Sequence, residues 1–124
     1  MATKAKNEQR DITGAVGVTL RGAGQLIIEQ GEEESLTIEA HPDMLSHIRT
    51  SVEEGIAVIA FENGYRLFTE LKGPIYHITL REITHLSIEG GGTLHAESID
   101  AGRISLRVDG GGHVVIDNLN AKSL

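Results

Sequence analysis

Cysteine and tryptophan are both absent from this chain of 124 residues. Without cysteine the protein forms no disulfide and carries out no thiolate chemistry. Only 3% of the residues are aromatic, which disfavours binding by stacking of bases on aromatic side chains. No apolar run approaches the length of a transmembrane helix, so we expect no membrane insertion.

Positive charge is also scarce. The chain has 11 lysines and arginines against 18 aspartates and glutamates, and its formal net charge is −7. Such a chain is repelled by phosphate backbones and anionic membranes, so no nucleic-acid partner is expected. Residues 1–10 are polar and lack the apolar segment of a signal peptide, so we expect a flexible N-terminal lead.

A unit of twenty residues occurs twice near the end of the chain. Its core runs from His85 to Ala96 and again from Ser105 to Ile116, and each copy has three consecutive glycines after an apolar pattern. Every apolar residue of the first copy recurs as another apolar residue at the same position of the second. The recurring pairs are Leu86 and Leu106, Ile88 and Val108, Leu94 and Val114, Ala96 and Ile116, Ile99 and Leu119, and Ile104 and Leu124.

This repeat leads to a prediction of the fold. A fixed period of this size is typical of a solenoid, in which each coil buries its apolar face against its neighbours. Alternating apolar and polar residues from Ile12 onward predict strands. We therefore predict an all-β fold, a short β-solenoid with coils of about 20 residues, as one domain over residues 11–124. Glycines would form its corners, at Gly22, Gly24, Gly90, Gly91, Gly92, Gly110, Gly111 and Gly112.

The run from Gly24 to Ala40 resembles the start of the putative auto-transporter adhesin head domain, also called the head GIN domain. The likeness continues through Leu45–Ile48, Ile75–Ile88 and the glycine turns, and covers roughly residues 11–124. The resemblance implies a right-handed β-helix-like stack and a non-catalytic adhesive role at the cell surface, with no cofactor. Members usually carry an export signal and further C-terminal coils, and we expect this chain to lack both.

The second copy of the repeat ends within a strand pattern, which predicts an interface. Solenoids need a cap at each end, so we expect another subunit to cover the last coil. The chain itself is the first candidate partner, as a dimer or a filament, and another surface protein or a glycan is the alternative. The predicted interface residues are Leu106, Val108, Val114, Ile116, Leu119 and Leu124.

Stacking of the two copies would also place Glu89 beside Asp109 and Glu97 beside Asp117. Like charges so placed are unfavourable unless the side chains splay into water or a cation lies between them. Solvated carboxylates, a weak calcium site and a glycosidase-type carboxylate pair are the three interpretations. Arg107 is the one basic residue near Glu89 and Asp109 that a β-helix enzyme would use.

Other chemistry finds little support in the sequence. No nucleophile elbow, phosphate-binding loop or cysteine-based zinc motif is present, so we predict that the protein is not an enzyme. Phe61, Tyr65 and Phe68 either line a glycan or peptide groove or plug the first coils. The remaining candidates for metal ligands are four histidines at outward positions of the predicted strands, His77, His85, His95 and His113. Their spacing gives no pair that is diagnostic of a metal site.

Overall fold

The computed structural model describes residues 6–61 and 74–123 of the chain. They form eleven strands and one short helical turn. The bounds are β1 Lys6–Arg10, β2 Gly17–Arg21, β3 Gln25–Gln30, β4 Ser35–Ala40, α1 Pro42–Leu45, β5 Ile48–Glu53, β6 Ile56–Phe61, β7 Ile75–Leu80, β8 His85–Glu89, β9 Thr93–Arg103, β10 Ser105–Asp109 and β11 His113–Ser123.

The strands are arranged in two mixed sheets. Sheet A has the order β1-β4-β7-β3-β9-β11, and sheet B has the order β10-β8-β2-β6-β5. The run β7-β3-β9-β11 is parallel, as is the run β10-β8-β2-β6. β1 and β4 in sheet A, and β5 in sheet B, are antiparallel to their neighbours.

The prediction of an all-β fold was right, but the predicted β-solenoid, or right-handed β-helix-like stack, was wrong. The structure has two mixed sheets instead of one succession of equivalent coils. β2 lies between β6 and β8, and β3 lies between β7 and β9. The order of the strands within each sheet therefore differs from their order along the chain. The repeat was found near the end of the chain, where β8 to β11 follow one another, and carried no information about the antiparallel strands.

The twenty-residue register itself is present in the parallel region. Leu106 lies opposite Leu86 in sheet B, and Val114 lies opposite Leu94 in sheet A. Leu26 lies opposite Leu94 on its other side, so the earlier segment around β2 and β3 forms a further layer of the same kind. Equivalent residues therefore lie on adjacent strands, at the usual spacing of about 4.8 Å.

The inward side chains of the two sheets form one aliphatic core. Tyr76 of β7 is an exception, because its large side chain is buried among aliphatic residues. Burial raises the pKa of the Tyr76 hydroxyl, and the charge of Arg10 opposes that shift. The other large buried side chains are Ile12, Leu20, Leu26, Ile28, Leu36, Ile38, Ile59, Ile78, Leu80, Ile83 and Leu86.

Arg10 of β1 connects the two sheets at the antiparallel end. Its guanidinium pairs with Glu8 and donates to the carbonyl oxygens of Ile48 at 2.9 Å and Leu45 at 3.0 Å. β1 is the edge of sheet A and β5 is the edge of sheet B. Lys6–Arg10, which the sequence placed in the N-terminal lead, thus form a strand that pairs with β4.

Two tight turns shape the same end of the molecule. Glu54 and Gly55 have φ angles of 52° and 80°, as the two central residues of a hairpin turn of type I′ do. They connect β5 to the antiparallel β6. The α1 turn begins after His41, whose Nδ1 accepts a hydrogen bond from the backbone N–H of Asp43 at 3.1 Å.

Candidate functional site

β10 and β11, the last strands of the two sheets, form what we call the C-terminal edge. Each has a strand neighbour on one side only within the described residues. Val108 is 42% exposed, whereas its counterpart Ile88 is 0% exposed. Leu119 is 38% exposed, whereas Ile99 is 2% exposed. Of the other predicted interface residues, Leu106, Val114 and Ile116 are half-buried, and Leu124 lies outside the described residues.

The glycine corners between the strands stack on one another. Gly22, Gly24, Gly90 and Gly110 all have positive φ angles, between 100° and 132°. L-residues with a side chain avoid this region. A Cβ on Gly110 would also lie 3.1 Å from the carbonyl oxygen of Gly90. The positive φ and the close approach both require glycine at these corners.

The remaining glycines of the triplets differ from one another. A Cβ on Gly92 would lie 2.8 Å from Cδ2 of Leu20, and a Cβ on Gly112 would lie 2.8 Å from the carbonyl oxygen of Gly92. By contrast, a Cβ on Gly91 or Gly111 would meet nothing within 4 Å. The third glycine of each triplet therefore allows layers to approach, while the middle glycine has room for a side chain.

Glu89 and Asp109 are neighbours on the outer face of sheet B, in the register expected from the repeat. Each carboxylate is paired with an arginine. Nε of Arg21 donates to Glu89 at 3.0 Å, and Nε of Arg107 donates to Asp109 at 2.8 Å. Arg107, the basic residue considered for an enzyme, is thus engaged in an exposed ion pair. Pairing of this kind offsets the repulsion between adjacent carboxylates without a bound cation.

The second pair of carboxylates lies on the outer face of sheet A. Asp117 is 3.2 Å from Nε2 of His95, and Glu97 is exposed. His77 lies 3.6 Å from a carboxylate oxygen of Glu39. These contacts join one histidine to one carboxylate, which is fewer than the three ligands a protein metal site usually supplies.

The other predicted candidates occupy separate places. His85 is half-buried in β8 and His113 is exposed in β11. Within the described part of the chain, no group of three or more histidine, aspartate or glutamate side chains is arranged to hold a metal ion. Tyr65 and Phe68 lie outside the described residues, as does the side chain of Phe61.

Sequence reasoning missed a groove beside β9, which we call the β9 groove. Its volume is about 410 Å³, and its lining includes Gln30, Arg81, Glu82, Asp100, Gly102 and Arg103. β9 continues to Arg103, whereas β3, its neighbour in sheet A, ends at Gln30. In the sequence, Gln30 is a polar residue at the end of a strand and Gly102 is a glycine within another strand. No sequence pattern indicates that the two line one groove.

The family model described as "Putative auto-transporter adhesin, head GIN domain" matches residues 16–124. Curated protein sequences gave no match. Also, no helix in the described part of the chain has the length and hydrophobicity needed to cross a membrane.

Several solved structures share the fold. A putative adhesin from Bacteroides fragilis NCTC 9343 matches with a TM-score of 0.86 and 17% identity, over 97% of this chain and 56% of that chain. A putative lipid binding protein from Parabacteroides distasonis ATCC 8503 gives 0.76 and 13%, over 95% and 60%. A putative adhesin from Parabacteroides merdae ATCC 43184 gives 0.70 and 12%, over 95% and 58%.

The chain thus spans between half and two thirds of the length of these solved structures. None of their names describes an enzyme. Their sequence identities are low, so the likeness concerns the fold, whereas the family model covers most of the sequence. On that match, this chain belongs to the putative auto-transporter adhesin, head GIN domain family.

Proposed function

We propose that the chain is a non-catalytic binding module of the adhesin-head type, displayed at the cell surface or elsewhere outside the cytoplasm. The observation that carries this proposal is the family match over residues 16–124. The shared fold with solved structures named as putative adhesins supports it. Surface molecules, a protein or a glycan, are the partners.

The architecture supports binding by rigid display. The two sheets hold an aliphatic core, while the outer face of sheet A carries His77, Ile27, His95 and Val115 in one row across four neighbouring strands. Side chains on such a face keep fixed spacings, because strand separation is fixed by the hydrogen-bonded ladder. Little ordering entropy is then lost when a partner binds, which favours affinity.

An adhesion assay tests this proposal. Beads coated with the chain should adhere to mucin-coated and matrix-coated surfaces, and excess soluble chain should compete with them. The control is the Ile88→Asp variant, which places a carboxylate at a fully buried position and should unfold the domain. Adhesion no greater than that of albumin-coated beads on every surface would contradict the proposal.

The C-terminal edge favours a second function, self-assembly. Val108 and Leu119 expose apolar surface beside strands that have unpaired edges within the described residues. Such edges pair with other chains. A second copy placed on this edge would give a symmetric dimer if the two edges pair with each other, and a filament if the contact is head-to-tail.

Light scattering at several concentrations tests self-assembly. We expect a dimer or a larger species whose mass falls to that of the monomer in the double variant Val108→Lys and Leu119→Lys. The matched control is Val52→Lys, since Val52 is also a partly exposed valine, 37% exposed, but lies at the opposite edge of sheet B. A monodisperse monomer at high concentration would contradict self-assembly.

A further inference from the structure

Hydrogen bonds at both ends of β10 show which of its backbone groups face the open side of sheet B. The N–H of Ser105 donates to the carbonyl oxygen of Thr84 at 2.9 Å. The carbonyl oxygen of Asp109 accepts from the N–H of Gly90 at 2.8 Å. The register between β10 and β8 has no gap, and backbone groups of successive residues point to opposite sides of a strand. The N–H and C=O of Val108 therefore point away from β8, where the described residues provide no further strand.

The first part of β11 has the same arrangement in sheet A. The N–H of His113 donates to the carbonyl oxygen of Gly92 at 3.1 Å, and the register with β9 continues without a gap as far as Ile116. The N–H and C=O groups of Val114 and Ile116 therefore point to the open side of β11. Their side chains lie beside buried residues of β9 and point inward. The C-terminal edge thus combines backbone groups that are ready to pair with an apolar inner face.

The opposite end of the molecule is protected against such pairing. Glu8 of the edge strand β1 lies opposite Ile38, which is buried. Arg10 lies opposite Leu36, which is also buried, so both charged side chains are on the inward face of sheet A. The two form an ion pair, and the Arg10 guanidinium also donates to the carbonyl oxygen of Ile48 in sheet B. Inward-pointing charges on an edge strand prevent edge-to-edge pairing. A head-to-tail filament would press the apolar C-terminal edge against these charges and is therefore disfavoured.

The charges of β10 are complementary to those of a second copy of the same strand. Arg107 and Asp109 are exposed and lie on either side of Val108. When two copies of β10 pair antiparallel with Val108 opposite itself, each Arg107 lies opposite the Asp109 of the other copy. Opposite charges at such positions stabilise a pair of strands. A pair centred on Leu106 would place Arg107 opposite the neutral Ser105, and a pair centred on Arg107 would place two guanidinium groups opposite each other.

We propose that the chain forms a two-fold symmetric dimer through its C-terminal edge, with β10 antiparallel to β10 of the second copy and Val108 on the axis. The N–H of each Val108 donates to the carbonyl oxygen of the other, and two Arg107–Asp109 pairs form between the copies. Val114 is as many residues after the Gly110–Gly112 corner as Val108 is before it, so the same axis brings β11 against β11 at Val114. The inference rests on the proposed self-assembly, for which it names the partner and the symmetry.

A single cysteine tests the position of the axis. The chain has no cysteine, so Val108→Cys introduces the only thiol. Hydrogen-bonded residues directly opposite in an antiparallel pair have Cα atoms about 5.5 Å apart, a separation that a disulfide spans. After oxidation with copper phenanthroline, we expect a covalent dimer on a non-reducing gel. In the matched control Leu106→Cys, the two thiols would be about 14 Å apart along the strands and should stay unlinked. Equal cross-linking of the two variants, or none in Val108→Cys, would overturn the proposal.

Charge reversal tests the ion pairs between the copies. Arg107→Glu places like charges opposite each other twice, and should raise the dissociation constant of the dimer about tenfold or more. The double variant Arg107→Glu with Asp109→Arg restores opposite charges and should dimerise within about twofold of the wild type. Arg81→Glu is the matched control, because it changes the net charge equally at an exposed position outside β10. A double variant that dimerises no better than Arg107→Glu would overturn the proposed register.

Sedimentation equilibrium of the wild-type chain separates this inference from self-assembly in general. A species of twice the mass of the chain that grows no further with concentration supports the two-fold dimer. A mass that keeps rising with concentration refutes the two-fold pairing and leaves self-assembly standing. A monomer at every concentration refutes both. Circular dichroism reports whether each variant folds, and should Arg107→Glu unfold, the comparison of Val108→Cys with Leu106→Cys decides.

Discussion

The two copies of the repeat have nearly the same apolar pattern and very different surroundings. In the first copy, β8 lies between β2 and β10 in sheet B, and β9 lies between β3 and β11 in sheet A. In the second copy, β10 and β11 pair with the first copy on one side and have no strand on the other within the described residues. Ile88 is consequently fully buried while Val108 is 42% exposed.

This difference shows what a repeat pattern does and does not encode. The pattern sets which side chains point inward, because inward and outward positions alternate along a strand. Burial depends in addition on a neighbour in the next layer. Identical residues at equivalent positions should therefore contribute unequally to the free energy of unfolding, and substitutions can measure the inequality.

The largest expected effect comes from Leu86 and Leu106, which are the same residue at the same position of the two copies. Leu86 is 1% exposed, so Leu86→Ala should lower the free energy of unfolding by about 2–5 kcal/mol through loss of contacts and a residual cavity. Leu106 is half-buried, and Leu106→Ala should cost about 1 kcal/mol. Urea unfolding of both variants measures the difference, and equal losses would show that another surface covers Leu106.

A smaller effect is expected in the glycine triplet of the first copy. Gly92→Ala would place a Cβ 2.8 Å from Leu20 and should destabilise the domain by about 1–3 kcal/mol. Gly91→Ala is the matched control, because its Cβ would meet nothing within 4 Å. Thermal unfolding reports both. Equal melting temperatures for the two variants would contradict the close packing of the corners.

The smallest effect concerns the ion pairs of sheet B. Glu89 in the first copy pairs with Arg21 on the neighbouring strand β2, whereas Asp109 in the second copy pairs with Arg107 on its own strand. Arg21→Gln should cost at most about 0.5 kcal/mol, since both partners are exposed, and Arg107→Gln should cost less. The difference should vanish in high salt. A difference that persists in molar salt would contradict an electrostatic origin.

The sequence predicted that the fold consists of β-strands, and it predicted part of the register between them. Alternation identified the strands, and the period of twenty placed Leu106 beside Leu86 and Asp109 beside Glu89. It did not predict that β4 and β5 turn back as antiparallel strands. That reversal depends on pairing between segments of the chain that share no pattern.

The candidate groove was harder to predict than the sheets. Gln30 is the last residue of β3, next to the charged run of residues 31–34, and Asp100 lies seventy positions away. Their contact exists because β9 extends beyond the end of β3. Strand lengths are poorly encoded by local pattern, since they depend on which neighbour is present. No reading of single positions would have joined Gln30 to Gly102.

The position of β2 in the middle of sheet B has a consequence for the time course of folding. Gly17 pairs with Ile56 on one side and with His85 on the other. During synthesis or export, an early segment must wait for both partners to emerge, and its two edges stay unsatisfied meanwhile. Domains dominated by such distant pairings fold slowly, over about milliseconds to seconds. Until then, the nascent chain exposes both edges of the strand that later lies in the middle of sheet B, and such unpaired edges are prone to aggregation.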